Sequence, residues 1–98
     1  MDNELEPLAG ALEQACALLL ACGNNATPPR ILELAKRLRS GETNAIASAV
    51  SEATGGMGSL NDQSLPSDAA NKRFRQAVEN IERLARSAAA ERGVSLVR

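Results

Sequence analysis

Residues 55–62 read Gly-Gly-Met-Gly-Ser-Leu-Asn-Asp, and helical sequence patterns lie on both sides of them. Three glycines within residues 55–58 favour a backbone with positive φ or the close approach of another surface. Asn61 and Asp62 favour tight turns, because their side chains hydrogen-bond to nearby backbone groups. A flexible Ser/Gly linker carries no apolar residues, whereas this segment contains Met57 and Leu60. We therefore predict a shaped loop, around which the helices are organised.

The composition of the 98 residues indicates the all-α fold class. Phe74 is the only aromatic residue, and the chain contains no Trp, Tyr or His. Alanine, the strongest helix former, is abundant, whereas the β-branched and aromatic residues typical of strands are scarce. A chain of this length has room for one core, so we predict that residues 1–98 form a single helical domain.

Apolar residues recur at intervals of three and four in four segments, a spacing that places them on one face of a helix. Gly23 is expected to end the first helix, and Thr27 to cap the N-terminus of the second. Ser67 is the expected N-terminal cap of the fourth helix. These segments predict an antiparallel bundle of about four helices, with a Gly-rich loop between helices three and four. The predicted helices cover residues 4–22, 28–39, 43–54 and 68–92.

The positions of two leucines and two cysteines on the first helix predict how far each side chain is buried. Leu18 and Leu20 lie off the apolar stripe, so we expect its last turns to be buried on more than one side, against another helix or another subunit. Cys16 and Cys22 are six residues apart on this helix, too distant for a disulfide. We expect both to be reduced and to behave as small buried apolar residues.

Charge is distributed in opposite blocks along the chain, although the net charge is only −1. Residues 1–26 contain four carboxylates and no Lys or Arg, whereas residues 71–98 contain seven Lys and Arg and three Glu. This pattern predicts that an acidic first helix lies beside a basic last helix and that their faces complement each other. The alternative is a polar surface that steers a charged partner.

The residue types needed for catalysis are sparse. General acid–base catalysis most often uses His, and a Cys or Ser nucleophile would have no His base here. Two cysteines without His make a poor zinc site, and no Gly-Lys-Ser/Thr segment is present to cradle a phosphate. Glu79 and Glu82 are expected to lie on a solvated, salt-bridged face with Arg75, Arg83 and Arg86. We therefore predict a protein that is not an enzyme and uses no cofactor and no metal.

Helices two and three do not match a DNA-binding helix-turn-helix. The helix that would enter the major groove, residues 44–54, has no Lys or Arg to contact phosphate. The N-terminus is acidic, and the apolar run at residues 15–22 is too short to span a membrane. We predict no nucleic-acid partner, no membrane association and a cytoplasmic location.

The segment at residues 55–62 resembles one found in small helical bacterial proteins, some of which are immunity proteins that neutralise a toxin delivered between bacteria. The resemblance covers these eight residues and the helices around them. It implies a protein that binds a cognate toxin and occludes its active site, with Met57 and Leu60 as apolar anchors. The residues that the resemblance assigns to the toxin interface are Glu52, Met57, Gly58, Ser59, Leu60, Asn61 and Asp62.

Two alternatives to a toxin-binding loop follow from the sequence. In the first, Met57 and Leu60 fold back as core residues, while Asn61 and Asp62 only cap a turn. In the second, the protein is a homodimeric helical protein with a structural or regulatory role, and its long first and last helices form the dimer interface.

Overall fold

The computed structural model describes residues 5–55 and 58–94, and every regular element within them is helical. The prediction of the all-α class with about four helices is confirmed. None of the helices in these residues is long and apolar enough to cross a membrane. The elements are α1 (Glu6–Ala21), α2 (Pro28–Arg39), α3 (Asn44–Thr54), a 3-10 helix (Leu60–Asp62) and α4 (Asp68–Arg92).

The four α-helices form a ring in which each helix contacts two others. α1 and α3 each pack on α2 and α4, and the contact between α2 and α3 is the sparsest of the four. Arg39 at the end of α2 reaches Glu6 at the start of α1, and Arg30 near the start of α2 reaches Glu52 near the end of α3. Helices α1 and α2 therefore run antiparallel, and so do α2 and α3.

The core is made mainly of leucine, isoleucine and alanine, as the composition predicts. Phe74, the only aromatic side chain, is completely buried. Buried alanines such as Ala15 and Ala85 let the helix backbones approach one another. The largest fully buried aliphatic side chains are Leu5, Leu8, Leu12, Leu19, Ile31, Leu38, Ile46, Leu60 and Ile81.

The helix ends follow the predicted signals with one correction. Gly23 adopts a φ of 87° beyond the end of α1, and the Ser67 hydroxyl accepts a hydrogen bond from the Ala70 amide at 3.1 Å. Thr27 precedes α2 but makes no side-chain capping bond. The Asn24 side-chain oxygen instead accepts from the Ala26 and Thr27 amides at 3.1 and 3.2 Å. A side chain from the preceding turn therefore organises this helix start.

One expectation about α1 is wrong: Cys22 is exposed, because α1 ends at Ala21 and Cys22 lies beyond its last turn, whereas Cys16 is buried as predicted. Leu20 is 48% exposed and Leu18 only partly buried, so within this chain the last turns of α1 are covered on one side only. Their burial against another subunit stays a prediction. Both cysteines are free thiols, which agrees with the prediction of reduced cysteines.

α1 lies beside α4, as predicted, but its acidic side chains Glu6 and Glu13 pair with Arg39 of α2. The Arg39 guanidinium lies 2.7 Å from a carboxylate oxygen of Glu6 and 2.5 Å from one of Glu13. Hydrogen bonds from Arg39 hold the pKa of both carboxyl groups below its usual value. On α4, Glu82 pairs with Arg86 at 2.9 Å, as expected for the solvated face.

Replacing Leu38 by Ala is expected to lower the free energy of unfolding by about 3 kcal/mol, because the buried Leu38 would leave a cavity. Leu32 on the same helix is 42% exposed, so Leu32→Ala is the matched control. The control should cost about 0.5 kcal/mol or less. Urea unfolding followed by circular dichroism measures both values, and equal losses would contradict this assignment of the core.

The two thiols should react with a chromogenic disulfide reagent at very different rates. Cys22 is exposed, whereas burial raises the pKa of the Cys16 thiol to about 11. Because only the thiolate reacts, one thiol per chain should react quickly at neutral pH, and the second only after unfolding in urea. Cys22→Ser should abolish the fast reaction and Cys16→Ser should preserve it. Two fast thiols in the folded wild type would disprove the burial of Cys16.

Candidate partner-binding loop

The backbone of the Gly-rich loop, residues 55–63, depends on glycine at two positions. A Cβ atom on Gly55 would lie 2.4 Å from the carbonyl oxygen of Ser51, which is closer than Cβ atoms approach. Gly58 has a φ of 84°, in the left-handed region that favours glycine. Beyond Gly58 the chain enters the 3-10 helix Leu60–Asp62, so residues 58–63 have a defined path.

Hydrogen bonds within the loop connect its two ends. The Gly58 amide donates to the Asp62 carboxylate at 3.0 Å, and the Asn61 side-chain amide donates to the Gly55 carbonyl at 3.3 Å. The Gln63 side-chain amide donates to the Ser59 carbonyl at 3.3 Å. These bonds close the loop on itself and turn the Asn61 and Asp62 side chains back across it.

Glu52 and Arg30 hold the loop from α3 and α2. One Glu52 carboxylate oxygen accepts from the Leu60 amide at 3.0 Å. Arg30 donates to both oxygens of the same carboxylate at 2.9 Å and to the Gly58 carbonyl at 2.8 Å. The Glu52 side chain is only 16% exposed, so solvent screens these charge-assisted bonds less than it screens bonds at a fully exposed site.

Arg75 holds the loop from α4. Its guanidinium donates to the carbonyl oxygens of Leu60, Asn61 and Gln63 at 3.3, 3.1 and 2.7 Å, and to the Asn61 side-chain oxygen at 3.2 Å. It also lies 5.1 Å from the centre of the Phe74 ring, within cation–π range. Arg75 was expected on the solvated, salt-bridged face with Glu79. It turns to the loop instead, because three carbonyl groups within residues 60–63 converge on its planar donor group.

The structure separates the predicted interface residues into exposed and buried groups. Gly58, Asn61 and Asp62 are exposed, while Glu52 and Ser59 are partly buried. The Leu60 side chain is completely buried in the core, so its expected role as an exposed apolar anchor is corrected. Burial of this side chain removes apolar surface from water, which favours the alternative in which it folds back. Met57 lies outside the described residues.

The sequence did not indicate that Arg30 of α2 and Arg75 of α4 hold the loop. Arg30 bonds Gly58 across 28 positions in the sequence, and Arg75 bonds Asn61 across 14. Neither arginine lies in the resembling segment, and their charge alone indicates only an exposed helix face. Only the packing of α2, α3 and α4 around the loop identifies them.

A groove of about 300 Å³ between α2 and α3 adjoins the loop. Arg30 and Glu52, which hold the loop, also form one end of this groove. Arg30 is paired with Glu52, and Arg37 is paired with Glu42 at 3.1 Å. The lining residues of the groove are Arg30, Glu33, Leu34, Arg37, Ser48 and Glu52.

The part of the chain that the structure describes contains no group of three or more His, Cys, Asp or Glu side chains that could hold a metal ion. The polar side chains of the loop point at backbone groups and at one another, an arrangement that fixes shape and presents hydrogen-bonding groups. That the protein has no catalytic activity and uses no cofactor stays a prediction.

No protein-family model, curated protein sequence or solved structure matches the chain. What the loop does must therefore be inferred from its own contacts, exposure and charge.

Arg75→Lys is expected to loosen the loop and lower the free energy of unfolding by about 2 kcal/mol, because one ammonium group cannot replace four guanidinium bonds. Amide hydrogen exchange at Leu60 and Asp62, both hydrogen-bonded in the loop, should accelerate. Arg83→Lys on the exposed face of α4 is the matched control and should change neither quantity. Unchanged exchange in Arg75→Lys would show that the loop is held without this residue.

Proposed function

We propose that this protein is an immunity protein that binds a cognate antibacterial toxin and blocks its active site by covering it. The observation that carries the proposal is the exposed tip of the loop, held by Arg30 and Glu52 on one side and by Arg75 on the other. A pre-shaped tip loses little conformational entropy on binding, which favours a tight complex. The resemblance of residues 55–62 to a segment of immunity proteins supports the same function.

The proposed contact surface consists of Gly58, Asn61 and Asp62, with Ser59 and Glu52 at its edge. Met57, which the resemblance also assigns to this surface, lies outside the described residues. Leu60 acts indirectly, because its burial anchors the loop. Binding is the whole activity in this mechanism: the loop fills or covers the toxin's cleft, and the toxin's substrate is excluded.

Two carboxylates near the loop are exposed and unpaired in the described residues. Arg30 and Arg37 are already paired with glutamates. Glu33 and Asp62 are exposed and have no cationic partner within residues 5–55 and 58–94. Such a surface favours a toxin whose active-site rim carries Lys or Arg, because opposite charges speed association and fix orientation. The proposal places the protein in the cytoplasm, where it would meet a delivered toxin.

Asp62→Lys is expected to weaken binding to a toxin encoded by an adjacent gene by about tenfold or more, because it reverses a charge at the tip. Asp62→Asn keeps an oxygen that can accept from the Gly58 amide, so it should weaken binding less. Glu82→Lys makes the same charge change on α4 away from the loop and should bind like the wild type. Titration calorimetry measures the three affinities, and circular dichroism verifies that each variant folds.

Co-expression with the products of adjacent genes tests the biological role. The wild-type protein should protect cells from one of these products, and Asp62→Lys should protect them less. If no adjacent product binds the protein or is neutralised by it, the proposed function is wrong. A toxin complex that Asp62→Lys leaves at full affinity would place the interface elsewhere on the molecule.

A further inference from the structure

One face of α4 carries a regular series of residues that the loop does not use. These residues follow one another at intervals of four, three, four, three and four, the spacing that aligns side chains along one side of a helix. The first and last are 18 positions apart, so they lie on the same side of α4 at a distance of about 27 Å. This face, called the α4 stripe below, consists of Arg73, Ala77, Asn80, Leu84, Ser87 and Glu91.

The α4 stripe borders two hollows between α4 and α1. Gln14 and Leu18 line one of them near Arg73, with a volume of about 290 Å³. Pro7 and Leu8 line the other near Glu91, with a volume of about 170 Å³. Ser87 is exposed beside the second hollow, and Ala77 packs into the core of this chain. Leu84, near the middle of the stripe, is only partly buried.

The two ends of the α4 stripe carry opposite charges that are unpaired within residues 5–55 and 58–94; Asp68, Lys72 and Glu79, also unpaired there, lie on another side of α4. Arg73 and Glu91 are both exposed, and neither side chain has an ion-pair or hydrogen-bond partner in the described part of the chain. Arg75, Arg83 and Arg86 on the same helix are all bonded. A helix with a free cation at one end and a free anion at the other complements an antiparallel copy of itself.

We propose that the α4 stripe binds a second copy of this chain, with the two α4 helices antiparallel. In this arrangement the numbers of any two residues that face each other average 82, as a two-fold interface between antiparallel helices requires. Arg73 faces the partner's Glu91, Ala77 faces the partner's Ser87, and Asn80 faces the partner's Leu84. Each ion pair forms twice, at the rim, and the two leucines lie near the two-fold axis, where an interface is usually most apolar.

This dimer leaves the proposed toxin-binding loop free. Arg75 follows Arg73 by two positions, which places it about 200° around the helix. Because Arg75 bonds the loop, the loop lies on the opposite side of α4 from the stripe. The dimer would carry two loops facing outward, and its formation does not depend on whether the loop binds a toxin.

Sedimentation equilibrium over a series of protein concentrations tests the proposal. The wild type should form a dimer with a Kd in the micromolar range. Arg73→Glu or Glu91→Arg alone should raise this Kd by about tenfold, because each replaces two ion pairs with two repulsions. The double variant Arg73→Glu/Glu91→Arg should restore the dimer, since the ion pairs reform with reversed polarity. Lys72→Glu is the matched control: the same charge change on an exposed neighbour outside the stripe should leave the Kd unchanged.

A steric variant tests the same interface without a change of charge. Ser87 is exposed, so Ser87→Trp should preserve the helical circular dichroism spectrum and abolish the dimer. A wild type that stays monomeric at high micromolar concentration would overturn the proposal. A dimer that neither single charge reversal weakens, or that the double variant does not restore, would overturn it as well.

Discussion

The completely buried side chain of Leu60 packs between α3 and α4 and determines where the surrounding loop can lie. Because the Leu60 side chain is buried, its backbone amide is partly buried and needs a hydrogen-bond acceptor. The Glu52 carboxylate is that acceptor. The neighbouring carbonyl groups need donors, and the Arg75 guanidinium supplies them. Burial of one apolar side chain thus requires charged side chains from α3 and α4, and these give the exposed tip its shape.

Arginines connect elements that are distant in the sequence. Arg39 joins α2 to two glutamates of α1, Arg30 joins α2 to α3 and the loop, and Arg75 joins α4 to the loop. The basic charge of α2 and α4 is therefore largely used inside the molecule and is not displayed to a partner. The charges left without a partner in the described residues include Glu33 and Asp62 on the side next to the loop and Arg73 and Glu91 at the ends of the α4 stripe. Lys36, Asp68, Lys72 and Glu79, elsewhere on α2 and α4, are unpaired as well.

The two proposed surfaces lie on opposite sides of α4 and use different physical properties. The loop offers a pre-shaped polar tip whose backbone is held by side chains, which suits a partner that must be covered quickly and tightly. The α4 stripe offers a long, shallow, self-complementary face, which suits weaker association with an identical chain. Because Arg75 of α4 holds the loop, pairing of two α4 helices would fix the directions in which the two loops point.

The sequence by itself determined the fold class and the helix boundaries, because both depend on local patterns. The three-and-four spacing of apolar residues, the serine at position 67 and the glycine at position 23 act within a few residues of their own position. Only the tertiary structure decided that Leu60 points inward, that Cys22 and Leu20 are exposed, and that Arg30 and Arg75 hold the loop. These outcomes depend on contacts between residues far apart in the chain. Such contacts exist only after the helices have taken their places around one core.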